Sequence, residues 1–323
     1  MEGDYKVLDA SGGSLNHIKN RLRMVWALVL LVCQGGFSGT LVAEPAPKST
    51  TKAAAAWSVR WQPLRLVNGT PVLFRVKPPT RLVSLEGTWL GHDLRFSFDG
   101  STQTWYGLAG AGLKTRAGLY PLVLAAESAT GKALSFERKV RVGHAKYPII
   151  AISVPKQYTE PDAAQVEKIK QDQALKEDLF VKSEPEREWS GNFLPPASAP
   201  VSDRFGTERR VNGVAQSTHQ GLDYRVPAGT PVAALNRGTV LLARPLFFEG
   251  NCVVLDHGQG LLTLYLHLSE IRVKEGDHVE RGEELGLSGA TGRATGAHLH
   301  VAVRWQGVYL NPATLFALRL PGA

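Results

Sequence analysis

Four short segments hold residues whose types and spacing could build a metal centre. In "GAHLH" (296–300), His298 and His300 stand one residue apart. Successive strand side chains point to opposite faces, so a strand over "AHLHVAV" presents both imidazoles together and turns Leu299 to the core. Such a pair in isolation is also ordinary strand polarity. "THQGLDYRV" (218–226) separates His219 from Asp223 by three residues, with Gly221 between them to let the backbone bend. A loop-to-strand turn there brings an imidazole nitrogen and a carboxylate oxygen onto one cation, a donor mixture that Zn2+ accepts. Taken alone, the segment reads equally as a loop histidine and a turn-capping aspartate. In "LTLYLHLSE" (262–270), alternation places Leu264, Leu266 and Leu268 on one face and Thr263, Tyr265 and His267 on the other. That polar stripe predicts a groove. Tyr265 fits core packing as well as a place in the groove.

The other histidines fall outside the pattern. His257 in "LDHGQG" reads, with Asp256, as structural at a strand–turn junction. His278 lies in an exposed hairpin, and His17, His92 and His144 have no partners. The chain has no H-E-x-x-H helix, which removes the glutamate-base mechanism of that class. The glycine-rich run 286–296 lacks G-K-[ST] and a following helix, so it reads as tight turns and not as a phosphate cradle. Two cysteines, Cys33 and Cys252, exclude a disulfide framework and a cysteine-ligated metal site.

The elements that must position these groups are mostly strands. With 323 residues, 43% of them hydrophobic and 20% charged, the chain reads as globular and long enough for about two domains. A net charge of +8 favours an anionic partner. Lys and Arg are scattered with no block of five, so no nucleic-acid partner is expected. Residues 1–43 read as a signal peptide or membrane anchor: Lys19, Arg21 and Arg23 precede "MVWALVLLV" (24–32), and a cleavage point follows Ala43. Either way, the chain beyond it is expected outside the cytoplasm, with the basic side retained inside. Val32 before Cys33 departs from a lipobox, and Met24 offers an alternative start. Residues 44–57 read as a linker. Short alternating strands over 58–146 predict a small β-sandwich, immunoglobulin-like in kind but without the Cys…Trp…Cys pattern. Trp89, Trp105 and Tyr106 are assigned to packing ahead of a sugar platform. Residues 147–200 form a connector with one helix near 161–180, capped by Asp162. From 201 to 318 the pattern is again almost all β, with a short helix in "NPATLFAL". The fold class is thus mainly β: an N-terminal Ig-like β-sandwich, a short helical connector and a C-terminal antiparallel β domain.

Taken together, "HQGLD", "VVLDHGQGLLTLYLHL", "VKEGDHVERGEELGLSGATGRATGAHLHVAV" and "YLNPATL" resemble the zinc metallopeptidases of the LytM/lysostaphin type, peptidase family M23. The resemblance covers roughly 200–318, about a third of the chain, with several motifs in order and at the right spacing. It implies Zn2+ held by His219, Asp223 and His300, with His267 and His298 as catalytic histidines beside the metal. It implies an exported endopeptidase acting on peptidoglycan, periplasmic or anchored to the inner membrane, with a divisome or wall-synthesis protein as a further partner. Members that have lost activity and activate cell-wall amidases usually lack some of the five residues, and all five are present here. A stabilising zinc in a wall-binding protein is the third reading. The bond that is cut is left open. "VKEGDHVERGEELG" also resembles the hairpin of biotinyl and lipoyl carrier domains, but no lysine stands at its tip.

Overall fold

The computed structural model describes residues 56–322 apart from 212 and 214. The predicted leader, Cys33 and most of the predicted linker therefore lie outside the described residues. Among the described residues, no helix is long and apolar enough to cross a membrane.

The N-terminal part is built from β1 (Ser58–Gln62), β2 (Leu66–Val67), β3 (Pro71–Lys77), β4 (Leu82–Trp89), β5 (His92–Arg95), β6 (Ser97–Asp99), β7 (Thr104–Gly110), β8 (Gly118–Ser128) and β9 (Ala133–Gly143). They form a four-stranded sheet, β1-β3-β7-β6, and a five-stranded sheet, β2-β9-β8-β4-β5. The sheets meet through their apolar faces. Phe74 of one packs edge-on against Trp89 of the other at 5.3 Å. Trp89 and Trp105 are buried, as their assignment to packing predicts. Burying an aromatic side chain of this size contributes about 1.5–3 kcal/mol.

The connector carries β10 (Ile149–Ile152) and helix α1 (Ala163–Leu179). α1 starts where Asp162 predicts: the Asp162 side chain accepts from the Gln165 amide, and Gln165 returns a bond to the cap backbone. The helix is polar on most sides, and Leu175, Leu179 and the following Phe180 supply its apolar contacts. Buried Asp172 accepts from the Phe247 backbone N–H at 2.7 Å and also pairs with Lys168.

The C-terminal part follows with β11 (Val201–Asp203), β12 (Glu208–Val211), β13 (Ala215–Thr218), β14 (Gly221–Tyr224), β15 (Pro231–Ala233), β16 (Gly238–Leu246), β17 (Gly250–Asp256), β18 (Leu261–Leu268), β19 (Glu270–Ile271), β20 (His278–Val279), β21 (Glu284–Leu287), β22 (Leu299–Trp305), β23 (Val308–Leu310) and helix α2 (Pro312–Ala317). An eight-stranded sheet runs β11-β14-β22-β18-β17-β16-β20, with β23 added beside β22. One face, with Tyr265, Leu299, Val301 and Val303, enters the large core. The other, with Leu262, Leu264 and Ala302, is covered by Phe180 and the end of α1. Cys252 is buried in this second cluster as a free thiol. A small sheet, β10-β12-β13, joins the connector to the segment leading into β14.

His92 has a partner after all. Its ring lies 5.0 Å from that of Trp305, and Gln306 donates to the neighbouring Asp93 carbonyl at 2.8 Å, tying the N-terminal sheets to β22.

Candidate active site

Cross-strand register brings the metal-binding residue types together. Asp223 in β14 pairs with His300 in β22, and Leu266 in β18 pairs with the same His300 from the other side. His219 lies just before β14, at the end of the hairpin β12–β13. Asp223 Oδ1 is 2.8 Å from His300 Nδ1 and 3.0 Å from His219 Nε2, and the two ring nitrogens are 3.0 Å apart. His219 Nδ1–H donates to the Arg204 carbonyl at 2.9 Å, which leaves Nε2 as a lone pair in the neutral ring. Only His300 can then contribute a proton to the triangle, one hydrogen for the two acceptor atoms that remain. A shared divalent cation satisfies all three, and two imidazole nitrogens with one carboxylate oxygen are ligands that Zn2+ takes. The donor set therefore fits a metal.

Electrostatics point the same way. Burial raises the Asp223 carboxyl, but its contacts with the imidazoles of His219 and His300 outweigh that and hold it well below the usual carboxylate range. Burial lowers His300 despite the opposing pull of Asp223. Both groups are thus held in the forms that bind a cation.

Gly221 has a different job from the bend expected of it. A Cβ there would meet His300 Nε2 at 2.5 Å and the Val301 carbonyl oxygen at 2.4 Å, so the missing side chain makes room for the His300 ring.

His267 also reaches the site by a route unlike the expected polar stripe. Thr263 and Tyr265 are fully buried and face the large core, so their side of β18 is not a groove. Leu235 N–H donates to the Tyr265 hydroxyl at 2.8 Å, and Thr263 meets the same hydroxyl at 3.1 Å. The polar atoms of that stripe are consumed inside the core. At His267 the β17–β18 register slips, and its φ of 66° is left-handed for a residue with a Cβ. The bulge turns His267 onto the opposite face, beside Leu264, Leu266 and His300. Its Nδ1–H donates to the Thr291 carbonyl at 2.8 Å, leaving Nε2 free as an acceptor. Burial, reinforced by His300 and His298, pushes its pKa down to about 3.

His298 completes the group. Its Nδ1–H donates to the Gly296 carbonyl at 2.8 Å, and its Nε2 lies 3.8 Å from Asp223 Oδ1. The rings of His267 and His298 are 4.8 Å apart. Both line a groove of about 330 Å³ with His300 and Asp223. One wall is apolar, from Ile150, Ile152 and Val154 of the connector, and Arg209, Arg225 and Arg293 also line it. Sequence reasoning missed the arginines, because no motif links them to the histidines. His257 and Asp256 are structural: His257 lies between the Arg237 carbonyl and Thr263, and Asp256 accepts from Ser183 and the Glu184 amide.

With this geometry in place, the family description "Peptidase family M23" matches residues 217–312, a span holding all five residues. The chain carries a peptidase family M23 domain. This M23 domain is similar to the peptidoglycan DD-endopeptidase ShyA of Vibrio cholerae, 42% identical over 122 residues, which are 38% of this chain and 26% of the relative. The DD-carboxypeptidase/endopeptidase Mpg of Neisseria meningitidis is 37% identical over 124 residues, 38% of this chain and 29% of the relative. A crystal structure from Pseudomonas aeruginosa assigned to peptidase M23 is similar beyond the M23 domain. It covers 78% of this chain and 95% of its own at 29% identity, with a TM-score of 0.59. The chain spans about a quarter to a third of the length of the curated relatives it matches.

Proposed function

We propose that this chain is an exported zinc endopeptidase that hydrolyses peptide bonds in the cross-links or stem peptides of peptidoglycan. The observation that carries the reading is the convergence of His219, Asp223 and His300 within 3.0 Å of one another, beside two further histidines in one groove. The relatives named peptidoglycan DD-endopeptidases support the substrate class. Arg225 and Arg293 in the groove suit a peptide that bears carboxylates, and the net charge of +8 suits an acidic wall polymer.

His219 Nε2, Asp223 Oδ1 and His300 Nδ1 would hold Zn2+. When bound, the metal supplies Lewis-acid polarisation of the scissile carbonyl and acidifies a water. The His267 Nδ1–H bond to the Thr291 carbonyl holds its Nε2 lone pair in the groove, and His267 takes the role of proton acceptor. His298 is the more exposed ring, turns Nε2 toward Asp223, and would steady the developing oxyanion and leaving amine. The presence of both histidines argues against the reading as a non-catalytic amidase activator.

The basic segment ahead of residues 24–32 supports export to the periplasm or an inner-membrane tether. The N-terminal sheets, read as immunoglobulin-like, and the connector would position the M23 domain and meet a divisome or wall-synthesis partner.

The test is muropeptide release from purified peptidoglycan by the full chain, alongside zinc analysis. Undiminished release by both His219→Ala and His298→Ala would sink the assignment. Zinc bound without cleavage by the unaltered chain would favour the activator reading.

A further inference from the structure

We propose that Arg209 is a positioning residue for the metal centre, restricting Asp223 to a single ligating oxygen, and that Asp203 lets it do so by neutralising its charge. The inference rests on the zinc reading above. Asp223 Oδ1 faces the two imidazole nitrogens. Its Oδ2 is already taken: Arg209 Nη2 donates to it at 2.7 Å. The same guanidinium donates from Nε to Asp203 Oδ2 at 2.9 Å, and its Nη2 reaches that oxygen at 2.5 Å. Asp203 Oδ2 in turn lies 3.5 Å from His219 Nδ1. One arginine thus stands behind the carboxylate ligand, and its aspartate partner stands behind a histidine ligand.

The two acids and the arginine come from different elements. Asp203 in β11 pairs across the large sheet with Asp223 in β14, whereas Arg209 arrives from β12 in the small sheet. β12 pairs with both β13 and the connector strand β10, where Ile150 is opposite Arg209. The carboxylate is therefore held from outside the sheet that presents it.

Charge explains why both partners are needed. A lone guanidinium beside a divalent cation repels it. Asp203 on the same guanidinium cancels that charge, so Arg209 acts on Asp223 as an oriented donor and not as a competing cation. A planar fork can bridge two carboxylates, which a single ammonium on a flexible stem does poorly. Partners behind metal ligands commonly change metal affinity 10- to 100-fold.

The test uses the full chain and its Arg209→Gln, Arg209→Lys and Asp203→Asn variants. Zinc affinity is measured by competition with a chromophoric chelator, the Co2+ d–d spectrum is recorded, and circular dichroism checks the fold. The expected result for Arg209→Gln is zinc binding weaker by roughly 10- to 100-fold. Its Co2+ absorption should also be less intense, because a released Oδ2 can coordinate and raise the coordination number. Arg209→Lys should fail to restore either. Asp203→Asn should weaken zinc binding, increasingly so at low salt, while keeping the Co2+ spectrum of the unaltered chain. Unchanged zinc affinity and Co2+ spectrum in a folded Arg209→Gln chain overturns the proposal. If that variant does not fold, unaltered affinity in both Arg209→Lys and Asp203→Asn overturns it instead. No zinc binding by the unaltered chain removes the metal reading itself, an outcome distinct from any difference among variants.

Discussion

Gly221 lies directly beneath the imidazole of His300, close enough that a Cβ at 221 would stand 2.5 Å from Nε2. The same Cβ would strike the Val301 carbonyl at 2.4 Å, so the backbone pairing of β14 with β22 cannot absorb it without shifting. Gly221→Ala should therefore lower stability by about 1–3 kcal/mol through overpacking and weaken zinc binding by displacing a ligand ring. Urea unfolding and chelator competition measure the two effects. Native stability together with native zinc affinity in this variant would remove the glycine from the site's architecture.

The five site residues should separate into two classes by metal content. His219→Ala, Asp223→Ala and His300→Ala should purify without zinc. His267→Ala and His298→Ala should retain it and lose roughly 10²- to 10⁴-fold in turnover. Elemental analysis beside a muropeptide assay makes the division, and zinc loss from His267→Ala would move that residue into the ligand set.

Acid should destabilise the fold through His257. Burial pushes its pKa down to about 4, with the Arg237 carbonyl only partly opposing. In the unfolded chain the ring titrates near 6.5. Between these values the unfolded state holds a proton that the folded state refuses, so stability falls as pH drops from 6.5 toward 4. The full loss is about 3 kcal/mol. Comparing melting temperatures at pH 7 and pH 4.5 for the unaltered chain and for His257→Asn tests this, with a flatter dependence expected in the variant.

Tyr265→Phe should cost stability without touching chemistry. Removing the hydroxyl leaves the buried Leu235 N–H without its acceptor, at about 1–3 kcal/mol. Turnover per folded molecule should stay at the unaltered level. A selective loss of turnover would return Tyr265 to the groove.

Arg293 lines the groove with its guanidinium over the Phe248 ring at 4.7 Å. On the proposed substrate, Arg293→Gln should raise KM for a muropeptide with free carboxylates more than for its amidated counterpart. Equal effects on both substrates would show that the arginine does not read charge.

Much of this was legible in the one-dimensional pattern. The Asp162 cap located α1, because a side-chain acceptor before a helix answers to local hydrogen bonding alone. The pair His298 and His300 shares a face because the strand period is two. The same rule misplaced His267. It assigned the residue to the side of Thr263 and Tyr265, whereas a bulge against β17 reverses it at that position. Polarity also misled: the Tyr265 hydroxyl is satisfied inside the core, and composition cannot say where its partner will be. Arg209 was missed because its claim on Asp223 depends on the pairing of β12 with the connector, fourteen residues before its target in the chain.

The sequence by itself determined the donors: which imidazoles and which carboxylate are available, and that two of them lie on one strand face. Those follow from residue type and local periodicity. Only the tertiary structure decided that β14, β18 and β22 are neighbours in a register that puts Asp223 opposite His300. It also decided that a bulge turns His267 inward and that Arg209 closes the second oxygen of Asp223. Register and bulges arise from hydrogen bonding between strands distant in sequence, and no local pattern carries that information.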